Sequence, residues 1–212
     1  MKQLVIQGGK KLFGTINISG SKNASLPILA ATLLVDEKIT LKNIPDVKDI
    51  STMINLLESI GKKINFLDSR NEIVITSKKN KKLIAPYNLV KTMTAGVLVL
   101  GPLLAKYGQA RVSLPGGCAI GSRPVDLHID MLKKMGAKIK IDKGYIVAKV
   151  TKKLKPSKLK FETISVGATE NLIMAATLCK GKTIIKNIAI EPEIIDLINF
   201  LNKSGAKIVF NS

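Results

Sequence analysis

The sequence predicts an α/β domain of pseudo-threefold character, with helices in its core and sheets outside. Two observations predict this fold: an internal repeat, and an alternation of helix and strand patterns within each copy. A unit of this kind cannot bury both faces of its helices alone, so three copies should pack around a shared helical core. The apolar fraction of 46% over 212 residues is ordinary for a folded chain.

The repeat is clearest between residues 39–66 and 183–210, which align without gaps at an offset of 144. Between them, residues 111–140 share the same ending, since Gly-Ala-Lys-Ile at 136–139 corresponds to the same four residues at 205–208. Identical residues between the first and last copies are Lys42, Asn43, Ile44, Ile50, Ile54, Asn55, Leu57, Gly61, Lys63, Ile64 and Phe66. We therefore expect three repeats, at about 22–78, 87–150 and 163–212.

Each copy is predicted to run helix, strand, helix, strand. In the first, a strand and the polar run Ser19–Ala24 precede an apolar helix that ends at Leu34. In the third, the predicted elements are a helix over 165–178, a strand over 183–186, a helix that Pro192 opens and Gly205 ends, and a strand over 208–210.

The first two copies carry an additional strand, at residues 72–76 and 145–150, because β-favouring residues cluster there. Each is followed by a lysine-rich run, at 78–82 and 152–160. Runs of like charge are typical of solvated segments, so both are expected to be exposed connectors.

The formal net charge of +19 invites a nucleic-acid hypothesis, which the kind of charge disfavours. Arg70, Arg111 and Arg123 are the only arginines, and the other 31 cations are lysines. Readers of bases and phosphates use guanidinium forks and aromatic stacking, and aromatic residues make up only 4% of this chain. An anionic small substrate is favoured, and a nucleic-acid binder, with steeply salt-dependent affinity, stays the alternative.

The sequence also indicates the cellular compartment in which the protein is expected to work. The longest apolar stretch, Ala95–Ala105, has 11 residues, well short of the roughly 20 that cross a bilayer, so no membrane partner is expected. The first residues lack the apolar core of a secretory signal. Two cysteines allow at most one disulfide, which favours a reducing cytoplasm.

The second copy departs from the others by a glycine-rich insertion at residues 114–121. Leu41 to Gly61 spans 20 positions, whereas Val112 to Gly136 spans 24. The insertion contains Cys118 and runs into a helix start with Arg123 beside it, where positive potential would lower the pKa of a thiol. Function is the favoured reason for the insertion, and a loose surface loop is the alternative.

Two further polar runs open helices, Ser19–Ala24 and Ser165–Thr169. Two such helix starts could hold a diphosphate, while the alternative is an ordinary turn with an N-cap. His128 lies inside a predicted helix over 124–135 without the spacing of a triad or metal site. No metal and no cofactor is predicted.

These three runs, the one around Cys118 above all, resemble the UDP-N-acetylglucosamine 1-carboxyvinyltransferase family of enolpyruvyl transferases. The resemblance extends along essentially the whole chain and implies an inside-out α/β barrel. It implies transfer of the enolpyruvyl group of phosphoenolpyruvate to the 3′-hydroxyl of UDP-N-acetylglucosamine, the first committed step of peptidoglycan synthesis.

The resemblance also implies roles for individual residues. Cys118 matches the proton donor, which can add covalently to phosphoenolpyruvate and which fosfomycin alkylates in this family. Lys22 and Arg123 match groups that hold phosphate and carboxylate, and Asn23 matches a substrate-positioning residue. Contacts to uridine and diphosphate are implied for Arg123, Pro124, Val125, Asp126, Leu127, Ser165, Val166 and Gly167.

Two positions depart from the family pattern. Thr94 stands where an arginine that contacts the sugar nucleotide is expected, and Thr163 where some members have a lysine. Members of the family are also about twice as long, with two such domains around the active site. Residues 1–21 are therefore expected to pack on a second domain, and 22–212 to form one domain. The chain then works with a complementary C-terminal half or is truncated; a non-catalytic sugar-nucleotide-binding module is the alternative.

Overall fold

Each of the three repeated stretches folds into helices that pack against a small sheet, in a computed structural model that describes residues 2–67, 71–116 and 125–211. The helices are α1 (Lys22–Ala31), α2 (Lys48–Ile60), α3 (Tyr87–Val90), α4 (Leu100–Tyr107), α5 (Asp126–Lys134), α6 (Val166–Ala176) and α7 (Pro192–Lys203), with 3₁₀ turns at Thr32–Leu34 and Thr94–Val99. The strands are β1 (Ile39–Leu41), β2 (Lys62–Phe66), β3 (Ile73–Ser77), β4 (Ile84–Ala85), β5 (Gln109–Ser113), β6 (Lys138–Asp142), β7 (Tyr145–Lys149), β8 (Lys158–Lys160) and β9 (Ile184–Lys186).

The first two sheets share one arrangement. In the first, β3 lies between β1 and β2 and is antiparallel to both, so that Ile75 is opposite Ile39 on one side and Ile64 on the other. In the second, β7 lies in the same way between β5 and β6, and β4 adds a parallel strand beside β5. The third sheet consists of the parallel pair β8 and β9.

The repeat is visible in the backbone as well as in the sequence. Asn43 and Asn187, which are 144 residues apart, both have a positive φ, of 57° and 55°. Asparagine tolerates this left-handed conformation better than most residues. Gly61, Gly136 and Gly205 also share a positive φ just after α2, α5 and α7. These matching turns confirm the three-copy interpretation.

The core is helical, as predicted. Helices α1, α4 and α6 are buried over most of their length, and α1 packs on α2 and α7 while α6 packs on α4, α5 and α7. The sheets lie outside, and β6 exposes most of its residues while alternate residues of β3 and β7 are buried. The predicted fold class is therefore confirmed.

A buried polar network joins the central helices. Gly101 N–H donates a hydrogen bond to Asn171 Oδ1 at 2.6 Å, and Asn171 Nδ2 donates to the Val97 carbonyl at 3.0 Å and lies 2.9 Å from His128 Nδ1. Burial lowers the pKa of His128 to about 4, so its ring is neutral and Nδ1 can accept the second amide hydrogen. All the polar atoms of the Asn171 side chain are thus satisfied.

Three sequence predictions are wrong in detail. No strand precedes Ser19, because residues 2–19 are exposed and pair with no strand in the part of the chain that the structure describes. Residues 208–210 form no strand, whereas the matching strands β2 and β6 pair with β3 and β7. The second lysine-rich run is not wholly a solvated connector: β8 forms within it and buries Leu159 against the core.

Candidate functional site

A cavity of about 430 Å³ lies at the start of α1, where the sequence predicted substrate-binding residues. It brings together Lys22, Asn23 and Thr94, three of the predicted site residues, from two separate parts of the chain. The other residues that line it are Leu26, Asp49, Lys91, Thr92, Met93, Ala95 and Gly116.

A tight turn fixes the position of Lys22 and Asn23. Ser21 caps α1 by accepting a hydrogen bond from Ala24 N–H at 3.3 Å, so this run forms the N-cap of the helix. Gly20 packs so closely on the backbone of Asn43 that a Cβ atom there would overlap the Asn43 carbonyl. Only glycine fits this contact, which holds the start of α1 against the turn at Asn43.

Lys22 is paired with an acidic residue that the sequence analysis missed. Its Nζ lies 3.1 Å from Asp49 Oδ2 in the first turn of α2, and the two side chains are 48% and 36% exposed. An exposed pair of this kind contributes about 1 kcal/mol or less, so an anion entering the cavity can displace the carboxylate. The ammonium group is thus held at the cavity without being neutralised permanently.

A second cation, Lys91, also lines the cavity beside Thr94. Its Nζ lies 5.2 Å from the centre of the Tyr87 ring, within the range of a cation–π contact. Thr94, at the start of a 3₁₀ turn, faces the same cavity with a neutral hydroxyl. Lys91 therefore supplies a positive charge near the position where the family resemblance implies an arginine.

The glycine-rich insertion leaves the fold at the wall of this cavity. Gly116 lies so close to the Lys91 backbone that a Cβ atom there would be 2.5 Å from the Lys91 carbonyl oxygen. Cys118, Arg123 and Pro124 lie outside the described residues, so their predicted roles stay predictions. The insertion nevertheless begins beside Lys91, on the same cavity as Lys22.

The remaining predicted contacts lie at the starts of α5 and α6. Val125 and Leu127 are half-buried and Asp126 is exposed where α5 begins. Ser165 caps α6 by accepting from Ala168 N–H at 3.3 Å, and Val166 and Gly167 form its first turn.

The two helix starts are neighbours. A Cβ atom on Gly167 would lie 3.6 Å from His128 Cε1 of α5, which shows how closely the first turn of α6 approaches that helix. The structure therefore places the first turn of α6 beside α5, one residue after Leu127. Neither residues 125–127 nor residues 165–167 line the 430 Å³ cavity, and the exposed Thr163 does not line it either.

Glu170, on α6, makes stability depend on pH. Burial, with Glu193 and Glu191 nearby, raises its pKa to about 8. The folded chain then keeps a proton that the unfolded chain releases near pH 4.5, so stability should fall as the pH rises from 4.5 through 8. His128, whose pKa burial lowers to about 4, has the opposite effect on stability: the unfolded chain holds its proton up to about pH 6.5, so stability rises with pH over this range. Below pH 6.5 this gain offsets the loss caused by Glu170.

We therefore expect a net loss of about 1 kcal/mol in the free energy of unfolding between pH 6.5 and 8, since Glu170 is only half deprotonated at pH 8. Urea unfolding at the two pH values measures it. The variant Glu170→Gln should abolish this loss, whereas Glu162→Gln, at an exposed position, should keep it. An equal loss in the wild type and the Glu170 variant would show that this carboxyl is not responsible.

Comparison with known proteins shows the family to which the chain belongs. The sequence model of the family described as EPSP synthase (3-phosphoshikimate 1-carboxyvinyltransferase) matches residues 6–212. The UDP-N-acetylglucosamine 1-carboxyvinyltransferase of Pelagibacter ubique (strain HTCC1062) is 60% identical over 98% of this chain and 49% of its own length. The enzyme of that name from Coxiella burnetii (strain Dugway 5J108-111) is 55% identical over 98% of this chain and 48% of its own.

Among solved structures, the enolpyruvyl transferase NikO from Streptomyces tendae superposes with a TM-score of 0.81. It is 18% identical in sequence, and the match covers 97% of this chain and 48% of that one. At this identity the likeness concerns the fold, which agrees with the predicted helical core and outer sheets. The chain spans about half the length of the curated relatives it matches.

Within residues 2–67, 71–116 and 125–211, no group of three His, Cys, Asp or Glu side chains is placed to hold a metal ion. Among the helices of these same ranges, none has the length and apolar composition of a membrane span.

Proposed function

We propose that this chain, which belongs to the EPSP synthase family, forms half of an enzyme that transfers enolpyruvyl from phosphoenolpyruvate to the 3′-hydroxyl of UDP-N-acetylglucosamine. The observation that carries the proposal is the cavity where Lys22 and Asn23 meet the start of the glycine-rich insertion. The names of the relatives at 60% and 55% identity support this acceptor rather than shikimate phosphate.

The charges around the cavity suit an anionic donor. Lys22 and Lys91 line it, and Asp49, the acidic residue among the described ones that line it, is held in an exposed pair that an incoming anion can break. We assign the phosphate and carboxylate of phosphoenolpyruvate to Lys22 and Arg123. Electrostatic stabilisation of the leaving phosphate is then the main contribution of these side chains to the rate.

The proposed reaction is an addition followed by an elimination. Cys118 gives its proton to the vinyl CH₂ carbon of phosphoenolpyruvate, and the sugar 3′-oxygen bonds to the adjacent carbon while a base of the complementary half takes the proton of that hydroxyl. In the second step the Cys118 thiolate takes a proton from the new methyl group, the carbon–carbon double bond re-forms, and the carbon–oxygen bond to phosphate breaks, so that inorganic phosphate leaves. Asn23 positions the substrates, and residues 125–127 and 165–167 contact the uridine and diphosphate.

The complementary half remains part of the proposal. We propose that residues 22–212 form one domain and that residues 1–21 pack on a second one. The exposure of the N-terminal segment supports this, since Leu12 is 95% and Phe13 90% exposed. Apolar side chains this exposed mark surfaces that another element covers. We place the protein in the cytoplasm because two cysteines cannot build a bridged scaffold.

The test is reconstitution of the two halves. The chain is mixed with the complementary C-terminal half of a relative, and phosphate release is measured with phosphoenolpyruvate and UDP-N-acetylglucosamine. We expect release that needs both halves and both substrates, labelling of Cys118 by fosfomycin, and loss of both in Cys118→Ala. A folded pair that binds the nucleotide sugar but releases no phosphate would contradict the proposal.

One observation favours a second function, sugar-nucleotide binding without catalysis. Thr94 places a neutral hydroxyl in the cavity where an arginine is expected, which weakens any contact to a phosphate. A binding module would take up UDP-N-acetylglucosamine in calorimetry on the chain alone and stay silent in the reconstituted assay.

A further inference from the structure

We propose that Tyr145 is a positioning residue for the donor: its hydroxyl group caps the single-turn helix α3 and so holds Lys91, which binds the phosphate of phosphoenolpyruvate together with Lys22. The choice of donor rests on the proposed function. Tyr145 itself lies on β7 and is not among the described residues that line the cavity. It therefore acts on the donor through Lys91.

The charge of the donor requires a second cation in the cavity. A phosphate group carries roughly −1.5 to −2 charges at pH 7, and the carboxylate of phosphoenolpyruvate adds another. Lys22 shares its charge with Asp49, at 3.1 Å. Lys91 also lines the cavity and forms no ion pair with any acidic residue in the described part of the chain. Its charge is therefore available to the phosphate.

Helix α3, which ends beside Lys91, is a single turn that needs support from outside. It spans Tyr87–Val90, and the residue at its N-cap, Pro86, provides no side-chain hydrogen bond. The N–H groups in the first turn of a helix have no partner within the helix. One turn also costs more conformational entropy than its few hydrogen bonds return. The position of Lys91 therefore depends on contacts that reach α3 from elsewhere in the fold.

Tyr145 supplies such a contact from β7. Tyr87 N–H donates a hydrogen bond to Tyr145 Oη at 3.4 Å, between residues that are 58 apart in the sequence. Lys91 N–H in turn donates to the Tyr87 carbonyl at 2.9 Å, and the Lys91 ammonium group lies 5.2 Å from the centre of the Tyr87 ring. The backbone and ring of Tyr87 thus connect the Tyr145 hydroxyl to the cation at the cavity.

The Tyr145 ring is itself held on the second sheet. Arg111 lies diagonally across from it, since β5 pairs Ser113 with Tyr145 and Arg111 with Val147. The Arg111 guanidinium lies 4.6 Å from the centre of the ring, and its buried Nε has no hydrogen-bond partner among the described residues. This cation–π contact limits rotation of the ring and keeps its hydroxyl group beside α3.

The same end of the sheet also supports the other end of α3. Leu114 N–H donates to the Gly144 carbonyl at 2.9 Å, next to Tyr145, where the glycine-rich insertion begins. Two residues later, Gly116 packs on the backbone of Lys91. Helix α3 is thus held at its start by Tyr145 and at its end by Gly116, and both contacts come from the second repeat.

The experiment measures the dissociation constant of phosphoenolpyruvate for the reconstituted two-half enzyme by calorimetry, separately from phosphate release. Tyr145→Phe removes the hydroxyl group and keeps the ring that Arg111 contacts. Tyr107→Phe is the matched control, because this third tyrosine of the chain also contacts a lysine, with Lys81 Nζ 5.1 Å from its ring centre, but does not line the cavity. Lys91→Met and the double variant complete a double-mutant cycle.

We expect Lys91→Met to weaken donor binding by about ten- to a hundredfold, and Tyr145→Phe by about three- to fivefold, because the hydrogen bond it removes is long. In the Lys91→Met background, Tyr145→Phe should have no further effect, since the hydroxyl group acts through Lys91. The Tyr87 amide should also exchange its hydrogen faster in Tyr145→Phe than in the wild type. Tyr107→Phe should bind the donor like the wild type.

The inference would be overturned if Lys91→Met or Tyr145→Phe bound the donor like the wild type, or if Tyr145→Phe caused the same loss with and without Lys91. Phosphate release by the wild-type pair would then leave the proposed function intact. A pair that shows the expected coupling but releases no phosphate would contradict the proposed function instead. A folded wild-type pair that does not bind phosphoenolpyruvate would contradict both.

Discussion

Replacing Gly101 with alanine is expected to destabilise the chain by about 3 kcal/mol. Gly101 lies where α4 meets α6, and a Cβ atom there would overlap both Asn171 Oδ1 and the Asn171 backbone carbonyl. The side chain could rotate away only by giving up its hydrogen bond to Gly101 N–H. The carbonyl belongs to the α6 backbone and can move only if the two central helices separate. Urea unfolding measures the change.

Gly167→Ala is the matched control for this prediction, because it makes the same substitution in a helix of the same core. Its Cβ atom would meet His128 Cε1 at 3.6 Å, an ordinary contact. Alanine favours the helix over glycine by about 1 kcal/mol, so this variant should be neutral or stabilised. If Gly101→Ala were also neutral, α4 and α6 would not approach as closely as described. Introducing Gly101→Ala into an Asn171→Ala variant separates the two overlaps, because only the overlap with the Asn171 backbone carbonyl then remains.

The repeat explains how much of the fold could be predicted from the sequence. Identical residues at an offset of 144 anticipated the matching turns at Gly61 and Gly205 and the matching φ values at Asn43 and Asn187. Local patterns of this kind are visible in the chain itself. The contact between Gly101 and Asn171 joins residues that are 70 apart in the sequence and leaves no local pattern. The periodicity of apolar residues therefore could not predict it.

The candidate site was predictable to a similar extent. Lys22, Asn23 and Thr94 were predicted, and the structure places them around one cavity. Asp49 was missed because it occupies the first turn of α2, where an acidic residue is expected for its effect on the helix dipole. Its repeat counterpart, Glu193, occupies the first turn of α7 in the same way, which masks the specific contact that Asp49 makes with Lys22.

In the reconstituted two-half enzyme, Lys22→Met is expected to lower phosphate release by about a hundredfold or more. Its ammonium group lies at the cavity where we place the phosphate that leaves, and methionine keeps the length of the side chain without the charge. Folding should be unaffected, because the variant removes only an exposed pair with Asp49. Steady-state rates with both substrates measure the loss, and urea unfolding of the chain alone checks its stability.

Lys42→Met is the control, because Lys42 is also an exposed, paired lysine, 3.6 Å from Glu72, and does not line the cavity. It removes the same charge from a chain of the same net charge, so any general electrostatic effect would appear in both variants. Asp49→Asn separates the two functions of the pair: without its carboxylate competitor, Lys22 should bind the anionic donor more tightly, seen as a lower KM for phosphoenolpyruvate. If Lys22→Met and Lys42→Met both kept the full rate of phosphate release, the charge at the start of α1 would have no part in the chemistry. The phosphate would then have to be held by other groups.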